Sequence, residues 1–137
     1  MTGVSAVRDA LASRLATITG LNVYSTFPAV PQAPCVIVQP TTGDYDLSLA
    51  NGGETMNFDL VLLAIQIASP FDVAQDTIDP YLDRSGSTSL RASINADVSL
   101  GGTVHTCRVK GWQNYGTINL GGSEYLGAKL AVEVWPL

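Results

Sequence analysis

Leu126-Gly127-Ala128-Lys129-Leu130-Ala131-Val132-Glu133-Val134 is the stretch that decides the fold. Leu126, Ala128, Leu130, Val132 and Val134 alternate with Lys129, Ala131 and Glu133. Side chains that alternate along a chain fall on opposite faces of a strand, so the run predicts one buried face and one facing water or a partner. The strand runs from about Glu124 to Trp135. Gly121-Gly122 before it is a hairpin signal, and Tyr115 to Leu120 and Thr103 to Trp112 read as strands upstream of that turn. Gly101-Gly102 marks a further turn.

Three more strands lie nearer the start. Leu21 to Ser25 is short. Cys35-Val36-Ile37-Val38-Gln39 is closed by Pro40, and its β-branched centre suits burial on both faces. Met56 to Ile67 is the longest; Asn57 and Asp59 share one side, and Phe58, Leu60, Leu62 and Ala64 the other. Between these last two, Thr41 to Thr55 lacks a sustained apolar period and carries Asn51-Gly52-Gly53. It reads as a long loop or protruding hairpin, a length that usually has a function.

The helices have a different rhythm. Val4, Val7, Leu11, Leu15 and Ile18 recur at helical steps, with Gly20 as the stop. Ser69-Pro70 is a helix start, with Asp72 in the first turn. Val73, Ala74, Thr77, Ile78, Tyr81 and Leu82 form the inward stripe, and Pro80 is expected to kink or split the helix before Ser85-Gly86 ends it. Ser87 to Ala96 reads as a short helix anchored by Leu90 and Ile94. The length of 137 residues fits one domain spanning 1–137. The expected class is α+β: a mixed or antiparallel sheet, flanked by an N-terminal helix and a central helical segment, with helices on one side.

A catalytic or metal-binding reading finds little to build on. His105 is the only histidine. Strand alternation would put it on one face with Thr103 and Cys107, at ~7 Å spacing, too far for direct proton transfer. Contact with Cys35 across the sheet is the remaining way to a Cys/His pair. Cys35 and Cys107 fit no metal or redox spacing and read as buried free thiols. Asp44 and Asp46 flank Tyr45, but the segment lacks the glycine and closing glutamate of a calcium loop. The paired glycines lack the lysine and helix context of a phosphate loop and read as turns. Neither cofactor, metal nor catalytic residue is expected.

Charge argues in the same direction. The net charge is −5, and the seven basic residues are scattered rather than gathered into a phosphate-tracking stripe. Charged residues make up only 14% of the chain against ~25% in an ordinary soluble domain, which hints that neighbours cover some of the surface. Asp72, Asp76, Asp79 and Asp83 share one helix face, either a solvated outer face or an electrostatic docking surface. Trp112 and Trp135 read as core or interface anchors. The start Met1-Thr2-Gly3-Val4 has no basic segment followed by an apolar core, and no apolar run approaches the ~20 residues of a membrane span. A soluble protein of a reducing cytoplasm is expected.

The order of pieces resembles a known family. Val7-Arg8-Asp9-Ala10-Leu11 opens a helix leading through Gly20-Leu21-Asn22-Val23-Tyr24 to a proline-rich connector, Phe27 to Pro34. Ser69-Pro70-Phe71-Asp72, Leu82-Asp83-Arg84-Ser85-Gly86-Ser87 and Tyr125-Leu126-Gly127-Ala128-Lys129-Leu130-Ala131-Val132-Glu133-Val134 follow in turn. Nearly the whole chain resembles the tail terminator (tail-completion) proteins of long-tailed bacteriophages. The resemblance implies a homo-oligomer, a six-membered ring on the head-proximal end of the tail tube. Such a ring stops tube polymerisation and presents a surface to the head-side connector or stopper. Genome DNA passes through its lumen without specific binding, and the protein resides at the head–tail junction of the virion. It brings no catalytic residues. Another connector ring protein, a stopper or adaptor, is the alternative, and a small Cys/His hydrolase a more distant one. Residues expected at protein interfaces are Asp44, Tyr45, Asp46 and Leu47 of the long loop, with Asp72, Asp76 and Asp79 of the acidic helix.

Overall fold

A computed structural model describes residues 3–26, 28, 31–48, 52–66, 71–120 and 122–136, without the side chains of 46–48, 52–53, 66 and 71–74. The elements run α1 (Val4–Leu15), β1 (Asn22–Tyr24), β2 (Cys35–Ser48), β3 (Gly52–Gln66), α2 (Phe71–Leu82), α3 (Leu90–Asn95), β4 (Val104–Leu120) and β5 (Ser123–Pro136). The five strands make one sheet in the order β1-β2-β3-β5-β4. β1 runs parallel to β2, and every other pair is antiparallel. The fold is therefore α+β with a mixed sheet, as the strand and helix rhythms predict.

The alternation in β5 sorts the core. Leu126, Ala128, Leu130, Val132 and Val134 are all buried, on the face that α1, α2 and α3 cover with Val7, Leu11, Leu15, Ile78, Leu90 and Ile94. Each fully buried Leu, Ile or Val contributes roughly 1.5–3 kcal/mol relative to exposure. Phe58, Leu60, Leu62 and Ala64 of β3 join this layer. A smaller cluster of Cys35, Ile37, Val61, Leu63 and Tyr125 fills one end of the opposite face, helped by Tyr24, Ala33, Ile118 and Leu120. Cys35, Val36, Ile37 and Val38 are thus buried on both faces. Val4 belongs to the expected helical stripe but is 44% exposed.

Some expected boundaries move. β2 does not close at Pro40: it continues to Ser48, and its pairing with β3 reaches Ser48 and Gly52, so the described residues of 41–55 lie in two paired strands, the arms of a hairpin rather than a loop. Beyond Ile37, β2 has lost β1 as a neighbour, and Pro40 lies beside a bulge. A missing N–H donor is tolerated at such an edge. Pro80 lies inside α2 without splitting it, because the helix ends soon afterwards at Leu82. The Ser69-Pro70 start lies outside the described residues. α3 begins at Leu90, later than expected, because Ser89 caps it by accepting from the Ala92 amide at 3.1 Å. The two expected strands 103–112 and 115–120 are one strand, β4, bulged at Asn114 with φ 57°.

Candidate functional site

The Cys/His pairing is not assembled. A bulge between Val104 and Thr106 interrupts the alternation of β4, so Cys107 points into the helix-covered core while His105 is exposed. The expectation that His105 and Cys107 share a face fails for that reason. Cys35 belongs to the opposite cluster and lies on the row Cys35–Leu63–Gly127–Gly116, far down β4 from His105. Both thiols are free, and burial pushes each up to about 11; Asp97 adds to the effect at Cys107. Thiolate nucleophiles need the reverse shift. Among the described residues no three His, Cys, Asp or Glu side chains gather where they could hold a metal ion, and no helix is long and apolar enough to cross a membrane.

The hairpin arm offers a surface instead. β3 pairs with β5 only from Met56 onward, so Gly52–Thr55 pairs with β2 alone. An isolated two-stranded ribbon is marginally stable in water, so a projecting one gains from a partner. Tyr45 stands on it with 80% exposure, and Asp44 beside it is exposed. Val4, Pro40, Gly43, Tyr45, Glu54, Met56 and Phe58 line a groove of about 200 Å³ where the arm meets α1. The side chains of Asp46 and Leu47 lie outside the described residues.

Asp76 and Asp79 are exposed on α2 and Asp83 is exposed just past its end, and the side chain of Asp72 lies outside the described residues. Asp79 accepts a hydrogen bond from the Tyr115 hydroxyl at 2.8 Å. Partial burial and the Asp79 and Asp76 carboxylates push the Tyr115 phenol up to about 12. The Trp112 ring sits 5.8 Å from that of Tyr115, tilted by 54°, and is 52% exposed. Asp79, Leu82, Asp83, Arg84, Trp112 and Tyr115 share a shallow groove there. The acidic row is therefore tied to the edge strand through an aromatic pair, a link that spacing along either segment does not reveal.

Arg108 and Lys110 project from β4, each 3.8 Å from Glu133. Such exposed pairs are worth ~0–1 kcal/mol, so both cations stay open to other partners. β4 carries no acidic residue between Val104 and Leu120, and β2 carries no basic one between Cys35 and Ser48. That segregation is the sequence signal for the two edges, and it becomes legible only when both segments are known to be outer strands.

No protein-family model matches the chain, and no curated protein matches it.

Proposed function

We propose that this chain is a tail terminator of a long-tailed bacteriophage: copies of it form a ring at the head-proximal end of the tail tube, end tube growth and present the surface that the head joins. The observation that carries this reading is the β2–β3 hairpin, which extends past the shared sheet with Tyr45 80% exposed at its side. A projecting ribbon is a part made for contact, and it lies where the resemblance places a long connection between the second and third strands. The element order, helix, strands, helices, strands, also follows that resemblance along the chain. The sparse charge fits a subunit whose sides are covered by copies of itself. A net charge of −5 without a basic stripe fits a lumen through which DNA slides without adhering.

The test uses purified tail tube protein polymerising with and without this chain. The proposal expects tubes of limited length when the chain is present and uncontrolled growth when it is absent. Tubes that grow to the same lengths in both cases sink it. The stopper alternative differs in binding order, because a stopper engages the head portal side before the tube.

A further inference from the structure

We infer that copies of this chain join head to tail through two open sheet edges, the segment Thr106–Arg108 of one copy pairing antiparallel with Thr42–Asp44 of the next. The inference rests on the ring reading in taking a second copy as the occupant.

Both edges are free among the described residues. β4 pairs only with β5, and β2 beyond Ile37 pairs only with β3. The two segments also stand at the same height. Thr42 pairs with Asn57, Asn57 with Glu133, and Glu133 with Arg108; Gly43, Met56, Val134 and Cys107 form the adjoining row. A sideways step of one copy along these rows therefore brings Arg108 opposite the neighbour's Thr42 with no shift along the strand, and β4 must turn away beyond its bulge between Val109 and Gly111 to clear the neighbour's β1, which covers Cys35–Ile37. Direction agrees too. β2, β3, β5 and β4 alternate in sense, so β4 and a following β2 meet antiparallel and the sheet continues without changing its pattern. The helices of every copy then remain on the same side.

The residues at the junction are complementary. Thr42, Asn57, Glu133 and Arg108 share a row on the helix-free face, and Asp44, two residues on from Thr42, is on that face as well. Arg108 would stand diagonal to the neighbour's Asp44, within reach of a long side chain. Lys110 follows Arg108 on the basic edge. Bulges bracket both segments, after Val104 and Val109 on β4 and after Pro40 and Tyr45 on β2. They confine the pairing to a short ladder, which suits reversible addition of subunits rather than runaway stacking of edges. Because the two surfaces differ, the contact is head to tail and closes a ring when the rotation per copy allows. A purely protective role for Arg108 and Lys110, guarding a bare edge, gives the acidic arm no part.

Charge reversal distinguishes these readings. Sedimentation would be run on R108E/K110E, on D44K and on an equal mixture, with melting temperatures confirming that each variant folds. The inference expects the wild type to assemble, each variant alone to associate at least about 10-fold more weakly, and the mixture to assemble again because each defective edge finds its complement. The neutral variant R108S/K110S, which avoids crowding Glu133 with new acids, should also weaken assembly. Wild-type rings that persist in both reversed variants, or folded variants whose mixture stays monomeric, overturn the edge assignment and leave the ring reading standing. A wild type that stays monomeric even beside tube protein overturns both.

Discussion

Arg108 on the outer strand β4 and Thr42 on the stretch of β2 that extends past β1 share a single row, joined through Glu133 and Asn57. The row makes the two edges of the molecule addressable to one another without a stagger. It also divides the helix-free face. Below it the cluster around Ile37 and Val61 is buried, while around it the face is polar, with the Asn57 amide donating to the Thr42 hydroxyl at 3.0 Å.

The hairpin arm is expected to be dispensable for folding and needed for assembly. Replacing residues 45–53 by a short turn removes none of the side chains that α1, α2 and α3 bury. The shortened chain should fold cooperatively, and Tyr45→Ala should change stability by no more than about 0.5 kcal/mol. Both should impair tube capping. Denaturant melts alongside the tube-length assay check this, and normal capping by the shortened chain would remove the arm from the account.

Much of this fold is legible in the sequence because buried faces impose their periods. Val7, Leu11 and Leu15 in α1, and the alternating set in β5, are at the sites their spacing predicts; Ile18 is buried too, but past the end of α1 at Leu15, earlier than the Gly20 stop. What is not legible has local causes. Pro40 reads as a terminator, yet an edge strand has no second neighbour to miss its N–H. His105 and Cys107 read as neighbours on one face, yet a bulge turns one outward. Loop length points to the arm residue Asp44, and helical spacing to Asp76 and Asp79, as contact residues. Arg108 and Lys110 carry no such signal, because their value depends on which strand becomes an edge.

Gly127 is expected to be the least replaceable glycine in the sheet. A β-carbon there would collide with the Leu62 carbonyl and lie 2.8 Å from Ile118 Cδ1. Gly127→Ala should destabilise the fold by about 1–3 kcal/mol. Adding Ile118→Ala should not rescue it, because the backbone carbonyl cannot withdraw as a side chain can. Urea melts of the single and double variants measure this, and a neutral Gly127→Ala would contradict the packing described.

The cysteines are expected to be slow. A shift from 9.0 to about 11 lowers the thiolate fraction at neutral pH on the order of 100-fold, before any steric protection. Labelling of native protein with a thiol reagent should lag far behind labelling of the urea-unfolded chain. Rapid native labelling of Cys107 would reopen a catalytic reading of this strand.

Tyr115 should ionise late. Its phenol is raised in the fold by partial burial and by Asp79 and Asp76. Stability from this group is therefore complete below its unfolded value near 10 and is lost as pH rises through its folded value of about 12. Asp79→Asn removes the nearer carboxylate and should move the tyrosinate absorbance of this residue to lower pH, leaving the contribution of burial. Titration of the wild type, Asp79→Asn and Tyr115→Phe by ultraviolet difference spectra separates it from the other tyrosines. An unchanged curve in Asp79→Asn would show that the 2.8 Å contact is not formed in solution.

The central claim concerns where the chain sits on a tail. Electron microscopy of tail tubes assembled with a gold-labelled chain measures that directly. The account predicts label at one end of each tube, with averaged end views showing a closed ring coaxial with the tube. Label along the tube wall, at both ends alike or on no tubes at all would contradict it.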